Sequence, residues 1–242
     1  MTDPVEAPAG GYLADAPWTG RRTLVVFLAW IGGSAVGLAI VSAMGGSTMP
    51  PATEVAVIIA CQSAGALLAV TLLSQSAGTG RLGADVGLMV RGRDLVGLAI
   101  GVGLEIAISL LLVGLIEWLD VPDQSQTITG IVQDTPGLAG RVVLALTILV
   151  VTPVAEEVIF RGVLLAWLTR RIGGLWAVVA SSAVFSVVHY EPGAVLQLVA
   201  LFPFAVVLAA VALRRGNLGM PIMMHAGFNL LAFVVIVSDL PV

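Results

Sequence analysis

Long uncharged runs dominate the chain, broken at intervals by short clusters of arginine, aspartate, glycine and proline. A membrane span needs ~20 mostly apolar residues in a row. Seven stretches meet or approach that length, at about 23–44, 54–76, 95–118, 141–168, 173–190, 194–213 and 219–237. The pattern predicts an all-α membrane protein, a polytopic bundle of about seven transmembrane helices. The fourth run is the longest and holds Pro153, which lacks a backbone donor and predicts a kink. Gly33 and Gly37 have the small-xxx-small spacing that lets helices approach closely, although 28 glycines make that spacing common by abundance alone. Ahead of Arg21 the chain is polar, acidic and proline-containing (Asp3, Pro4, Glu6, Pro8, Asp15, Pro17) and reads as a flexible tail. The organisation predicted is a tail at 1–22, transmembrane helices within 23–136 and a C-terminal helical core at 137–240. Segment 81–94, with Arg81, Asp85, Arg91, Arg93 and Asp94 among apolar residues, reads as lying along the membrane surface.

Composition sharpens this picture. Of 242 residues, 58% are hydrophobic and 11% charged, where a soluble domain carries about 25% charged residues. A disordered chain, a nucleic-acid binder and an ordinary cytosolic enzyme are excluded, and the lipid bilayer becomes the first partner. All eleven basic residues are arginine. Nine of them (Arg21, Arg22, Arg81, Arg91, Arg93, Arg170, Arg171, Arg214, Arg215) share one side of a seven-span bundle. Asp120, Asp123, Asp134, Glu191 and Asp239 fall on the other, with Arg141 at a span edge. Arginine collects on the cytoplasmic side of membrane proteins, so the N-terminus is expected inside and the C-terminus outside. Cys61 is the single cysteine, which leaves no intrachain disulfide and no cysteine-based metal site.

The remaining ionisable residues sit where hydrocarbon should be. Glu156, Glu157 and Arg161 lie within the fourth run, His189 near the end of the fifth, and His225 within the seventh. An ionisable side chain at bilayer depth costs at least ~2.5–3.5 kcal/mol on insertion scales, so such residues usually face a cavity and act there. Glu157 and Arg161 are four apart and share a helix face. Glu156 points ~100° away, without that partner. It suits a general base; an ion pair plus a carboxylate tied to another helix is the purely structural alternative. Phe185 and His189, and His225 and Asn229, are also four apart. The second pair can aim two donors at one developing oxyanion, or simply join two helices. Together these residues supply the parts for amide hydrolysis by activated water. Ser181, Ser182 and Ser186 lack a nucleophile-elbow context, and no H-E-x-x-H occurs. Glu105, midway along the third run, could line the same cavity or pair with Arg161.

Glu156-Glu157-x-x-x-Arg161, Phe185-x-x-x-His189 and His225-x-x-x-Asn229, in that order on apolar helices, resemble the motifs of the CPBP intramembrane proteases, the CAAX prenyl protease and bacteriocin-processing (Abi) family. The resemblance covers roughly residues 140–237 and implies a CAAX-protease-like core with its site inside the bilayer. It implies that Glu156 with His189 activates water, that His225 with Asn229 stabilises the oxyanion, and that Glu157 and Arg161 hold the site together. The family is described both as metalloproteases and as metal-free glutamate enzymes. No cofactor is required by the sequence, while Glu156, His189 and His225 could ligate Zn2+. The partner expected is a peptide or membrane-protein substrate. Abundant Ala, Gly, Val and Arg without lysine point to a GC-rich bacterial genome, hence to a multi-pass protein of the bacterial cytoplasmic membrane and a leader peptide or membrane segment as substrate. Two other classes compete: a proton-coupled transporter, against which no inverted repeat is visible, and a non-catalytic scaffold or immunity protein, against which every motif position is intact.

Overall fold

A computed structural model describes residues 12–46, 49–120, 127–192 and 194–238. Every regular element among them is helical. Helix α1 (Tyr12–Asp15) is followed by α2 (Gly20–Ala43), α3 (Pro51–Ala77) and the short α4 (Leu82–Asp85). A 3-10 turn at Gly92–Leu95 leads into α5 (Val96–Leu119), and α6 (Thr127–Gln133) precedes the continuous α7 (Gly137–Ile172). The chain ends with α8 (Gly174–Val188), α9 (Val195–Arg215) and α10 (Gly219–Val237). Six helices (α2, α3, α5 with its leading turn, α7, α9 and α10) are long and apolar enough to cross a membrane. The seventh apolar helix, α8, has only 15 residues, or about 22 Å of helix at 1.5 Å per residue. It reaches the site rather than crossing far beyond it.

Helix α7 is the axis of the bundle. Every residue from Ala155 to Ala166 is buried, so this stretch lies at the centre of the assembly. Its middle is wound in π-helical turns at Thr147–Val151 and Glu157–Leu165. Pro153 therefore does not break the helix. The wider turns on either side accommodate the missing backbone donor, and π-turns of this kind gather at functional sites.

The close helix contacts are made by glycine. A methyl group added at Gly33 would lie 2.7 Å from Cα of Gln62, and one at Gly37 would lie 2.7 Å from Cα of Ile58. The small-xxx-small spacing in α2 is thus a working contact with α3, not a by-product of abundance. Gly101 and Gly227 play the same part between α5 and α10, facing the backbones of Met224 and Leu98.

Two expectations about the arginine-rich end are corrected. Residues 1–11 lie outside the described residues, but the following stretch is not loose: Tyr12, Leu13, Ala16 and Trp18 are buried. The Tyr12 hydroxyl donates to the carbonyl of Arg161 at 2.8 Å, and the Trp18 indole donates to the carbonyl of Asp85 at 2.7 Å. Arg170 donates to the carbonyls of Leu13 and Trp18. Aromatic rings with a polar handle anchor a segment that its acidic and proline residues made look like a tail. Segment 81–94 likewise does not simply lie on a surface. Asp85, Val86 and Asp94 are buried, Val86 packs at Gly162 of α7, and the carbonyl of Gly87 accepts from the amide of Leu218 at 2.8 Å.

Candidate active site

Helices α7, α8 and α10 each bring one part of the site. Because α7 is buried on all sides, both glutamates of its double-Glu motif stay inside, and the chain must supply their partners. Glu157 is 0% exposed and Arg161 1%. Arg161 Nη1 donates to Glu157 Oε1 at 2.8 Å, its Nη2 donates to the carbonyl of Ala205 on α9 at 3.3 Å, and its guanidinium lies 4.5 Å from the centre of the Phe185 ring. An unpaired guanidinium here would be very costly; three kinds of partner remove that cost. Glu105 is not among them. It accepts from Ser109 of its own helix at 3.0 Å.

Glu156 occupies the space between the two histidines. Its Oε1 lies 3.5 Å from Nε2 of His189 and its Oε2 lies 3.8 Å from Nε2 of His225. Each imidazole is held by its other nitrogen. His189 Nδ1 is 2.7 Å from the carbonyl oxygen of Phe185, and His225 Nδ1 is 3.0 Å from Glu157 Oε1. A carbonyl can only accept, and Glu157 Oε1 already accepts from Arg161, so both Nδ1 atoms act as donors. That choice turns both Nε2 atoms toward Glu156. The Phe185 ring lies tilted against His189 with centroids 4.4 Å apart and reaches the His225 ring at 6.1 Å, and Phe204 lies 5.3 Å from His225, so aromatic rings pack both imidazoles and Phe185 also seats Arg161.

A cavity of about 230 Å³ opens onto this cluster. It is lined by Trp30 of α2, by Ile59, Gln62 and Ser63 of α3, by Thr152 and Glu156 of α7, and by Val188 and His189 at the end of α8. A larger groove of about 390 Å³ between α8 and α9, lined by Val187, Leu198 and Phe202 among others, carries no ionisable side chain. The chemistry is therefore in the smaller one. Gln62, Ser63 and Trp30 escaped the sequence reading because their helices carry no motif. The one available signal was a side-chain amide in the middle of an apolar run.

His225 and Asn229 do not converge on one point in the cavity as their spacing suggested. Neither lines it. His225 is committed to the two glutamates, and Asn229 Nδ2 donates to the carbonyl of Ile148 at 2.9 Å. The local helix explains this. In the π register the amide of Thr152 donates to the carbonyl of Thr147, so the next carbonyl, that of Ile148, would take its hydrogen from residue 153. Residue 153 is proline. Asn229 replaces the missing donor and ties α10 to α7.

The proposed zinc set is also not assembled. Among the described residues no group of three or more such side chains is arranged to hold a metal ion.

Comparison with known families bears on the same helices. Residues 138–231 match the family described as Rce1-like, type II CAAX prenyl endopeptidase Rce1-like. This segment is an Rce1-like domain. It spans α7 to α10 and contains all seven motif residues, in agreement with the resemblance to CPBP intramembrane proteases. The Rce1-like domain thus carries the glutamates, arginine and histidines, while α2 and α3, outside the match, close the cavity over them. The matched family is one of endopeptidases, and six helices of this chain are long and apolar enough to cross a membrane. No curated protein and no solved structure matches it.

Proposed function

We propose that the protein is an intramembrane endopeptidase in which Glu156 and His189 activate water for attack on a peptide bond in the 230 Å³ cavity. One observation carries this reading: a carboxylate flanked by two histidine Nε2 atoms, at 3.5 and 3.8 Å, with each ring fixed through Nδ1 and only the His189 side open to the cavity. These separations are those of ion-pair partners rather than of a direct hydrogen bond and leave the Glu156 oxygens free to bind a water. Glu156 accepts the proton as the water oxygen bonds to the carbonyl carbon. The proton then passes, directly or through His189, to the amine that leaves when the C–N bond breaks. His225 backs Glu156 from the buried side, Glu157 and Arg161 hold His225, and Asn229 fixes the helix that carries the glutamates. In this arrangement the oxyanion forms on the cavity wall, where the Thr152 hydroxyl, one turn before Glu156, has no partner among the described residues.

The family description points to prenylated CAAX peptides as a substrate class; a leader peptide or a membrane-protein segment presents the same backbone. The test is cleavage of a farnesylated CAAX peptide by protein in lipid nanodiscs, alongside a proteomic comparison of membranes holding wild type or Glu156→Gln. Loss of a general base typically costs ~10²–10⁴ in turnover. Glu156→Gln and His189→Ala are expected to lose at least that much while keeping the fold. If both cleave like wild type, the assignment is wrong.

A further inference from the structure

Gln62 is a side-chain amide in the wrong solvent. It lies 11 residues into the 27-residue helix α3, about 17 Å from that helix's start at 1.5 Å per residue. Its neighbours on the helix are apolar or small, and at hydrocarbon depth an amide without a partner costs several kcal/mol. No residue among those described forms a hydrogen bond with it. It has no part in joining α2 to α3 either, since that contact is made by glycine against backbone. What it does is line the cavity that holds Glu156 and His189, beside Ser63 of its own helix.

We infer that Gln62 is the backbone clamp for the substrate, its amide pairing with one peptide unit of the extended chain beside the bond that Glu156 attacks. The inference rests on the protease reading above and adds a substrate-binding residue outside the Rce1-like domain. The chemistry fits the occupant. A side-chain amide offers an acceptor oxygen and two donor hydrogens, the complement of a peptide N–H and C=O. An unwound substrate segment inside a membrane brings unsatisfied groups of that kind with it. Being neutral, the amide also leaves undisturbed the protons shared around Glu156, which a lysine or a second carboxylate at position 62 would not. The geometry fits as well. The Cα of Gln62 sits against Gly33, where an added methyl would come within 2.7 Å, so the amide is presented from a backbone locked to its neighbour, and binding groups work best from rigid elements.

The experiment uses the full chain in nanodiscs and a farnesylated CAAX peptide with a donor–quencher pair, together with versions N-methylated in turn at each amide flanking the cleaved bond. Gln62→Met keeps the length of the side chain and removes its hydrogen bonds. It is expected to raise KM about tenfold, the size of effect of one or two neutral hydrogen bonds, with kcat within about threefold and an unchanged melting temperature. One N-methylation position should cost wild type about tenfold or more, and should cost Gln62→Met less than about threefold, because the partner is already gone. A wild-type KM in Gln62→Met, equal methylation penalties in both proteins, or no penalty at any position in wild type each overturns the clamp. Binding of the dye-labelled peptide to Glu156→Gln, with and without Gln62→Met, separates the two ideas. Gln62-dependent binding without cleavage by wild type would leave the clamp standing and remove the protease reading. Cleavage by wild type with Gln62-independent binding would do the reverse, and absence of binding would count against the clamp.

Discussion

Glu157 Oε1 receives two donors, Arg161 Nη1 and His225 Nδ1, and that double duty makes its removal unequal to the removal of its partners. Glu157→Ala strands a fully buried guanidinium, a change that costs ~3–5 kcal/mol in buried pairs. Arg161→Ala leaves Glu157 still paired with Nδ1 of His225, so its loss should be smaller. Glu156→Gln keeps the volume and removes a charge that is costly to bury, so it should melt close to wild type. Thermal unfolding in detergent is expected to rank Glu157→Ala lowest, Arg161→Ala next and Glu156→Gln near wild type. A Glu156→Gln protein melting as low as Arg161→Ala would mean that Glu156 is part of the scaffold. The pairing of Glu157 with Arg161 was legible from their spacing of four. The attachment of His225 was not, because spacing along one helix says nothing about which carboxylate a ring on another helix will meet.

Within α7, the replacement of a backbone donor by a side chain makes a prediction of its own. Asn229→Ala leaves the carbonyl of Ile148 without a donor, a loss of ~1–3 kcal/mol for a buried group. Adding Pro153→Ala should restore much of that stability, since residue 153 then carries its own N–H; if the double variant is no more stable than Asn229→Ala, the proline is not the cause. The sequence announced the proline but not its remedy, which depends on a residue 76 positions later. Helix α4 offers a second check. Burial opposes the charge on Asp85, yet donors from Ser74, Thr79 and Gly80 hold its carboxyl below the usual carboxylate range. A lowered folded-state value means stabilisation that is complete above the ordinary aspartate value of about 3.8 and fades as pH falls through the lower, folded one. Melting temperature should therefore drop as pH falls below roughly 4, and Asp85→Asn should be less stable at neutral pH with a flatter acid limb. A variant with the same acid dependence as wild type would sink this account.

Across the whole molecule, hydrophobic run lengths alone located six membrane-length helices and the shorter α8, because hydrocarbon permits little else. Which helices enclose the cavity was not legible. The motifs all lie in α7 to α10, while half the wall comes from α2 and α3, whose contribution is shape and the polar side chains of Gln62 and Ser63. The alternation of helix ends gathers the arginines at one end, where Arg170 and Arg215 meet Trp18 and Asp94. The expected orientation puts that end in the cytoplasm, so a reporter fused after Val242 should be active only when it works outside; activity confined to the cytoplasm would reverse the topology. The segment Tyr12–Trp18 has a consequence for the order of assembly. Its hydroxyl bond to Arg161 spans 149 positions of chain and its bond to Arg170 spans 152. These residues are synthesised before α7, yet their binding groove is complete only once α7 is in place. The segment therefore stays without these partners while α2 to α7 are made, and its docking marks the point at which α7 has joined the bundle.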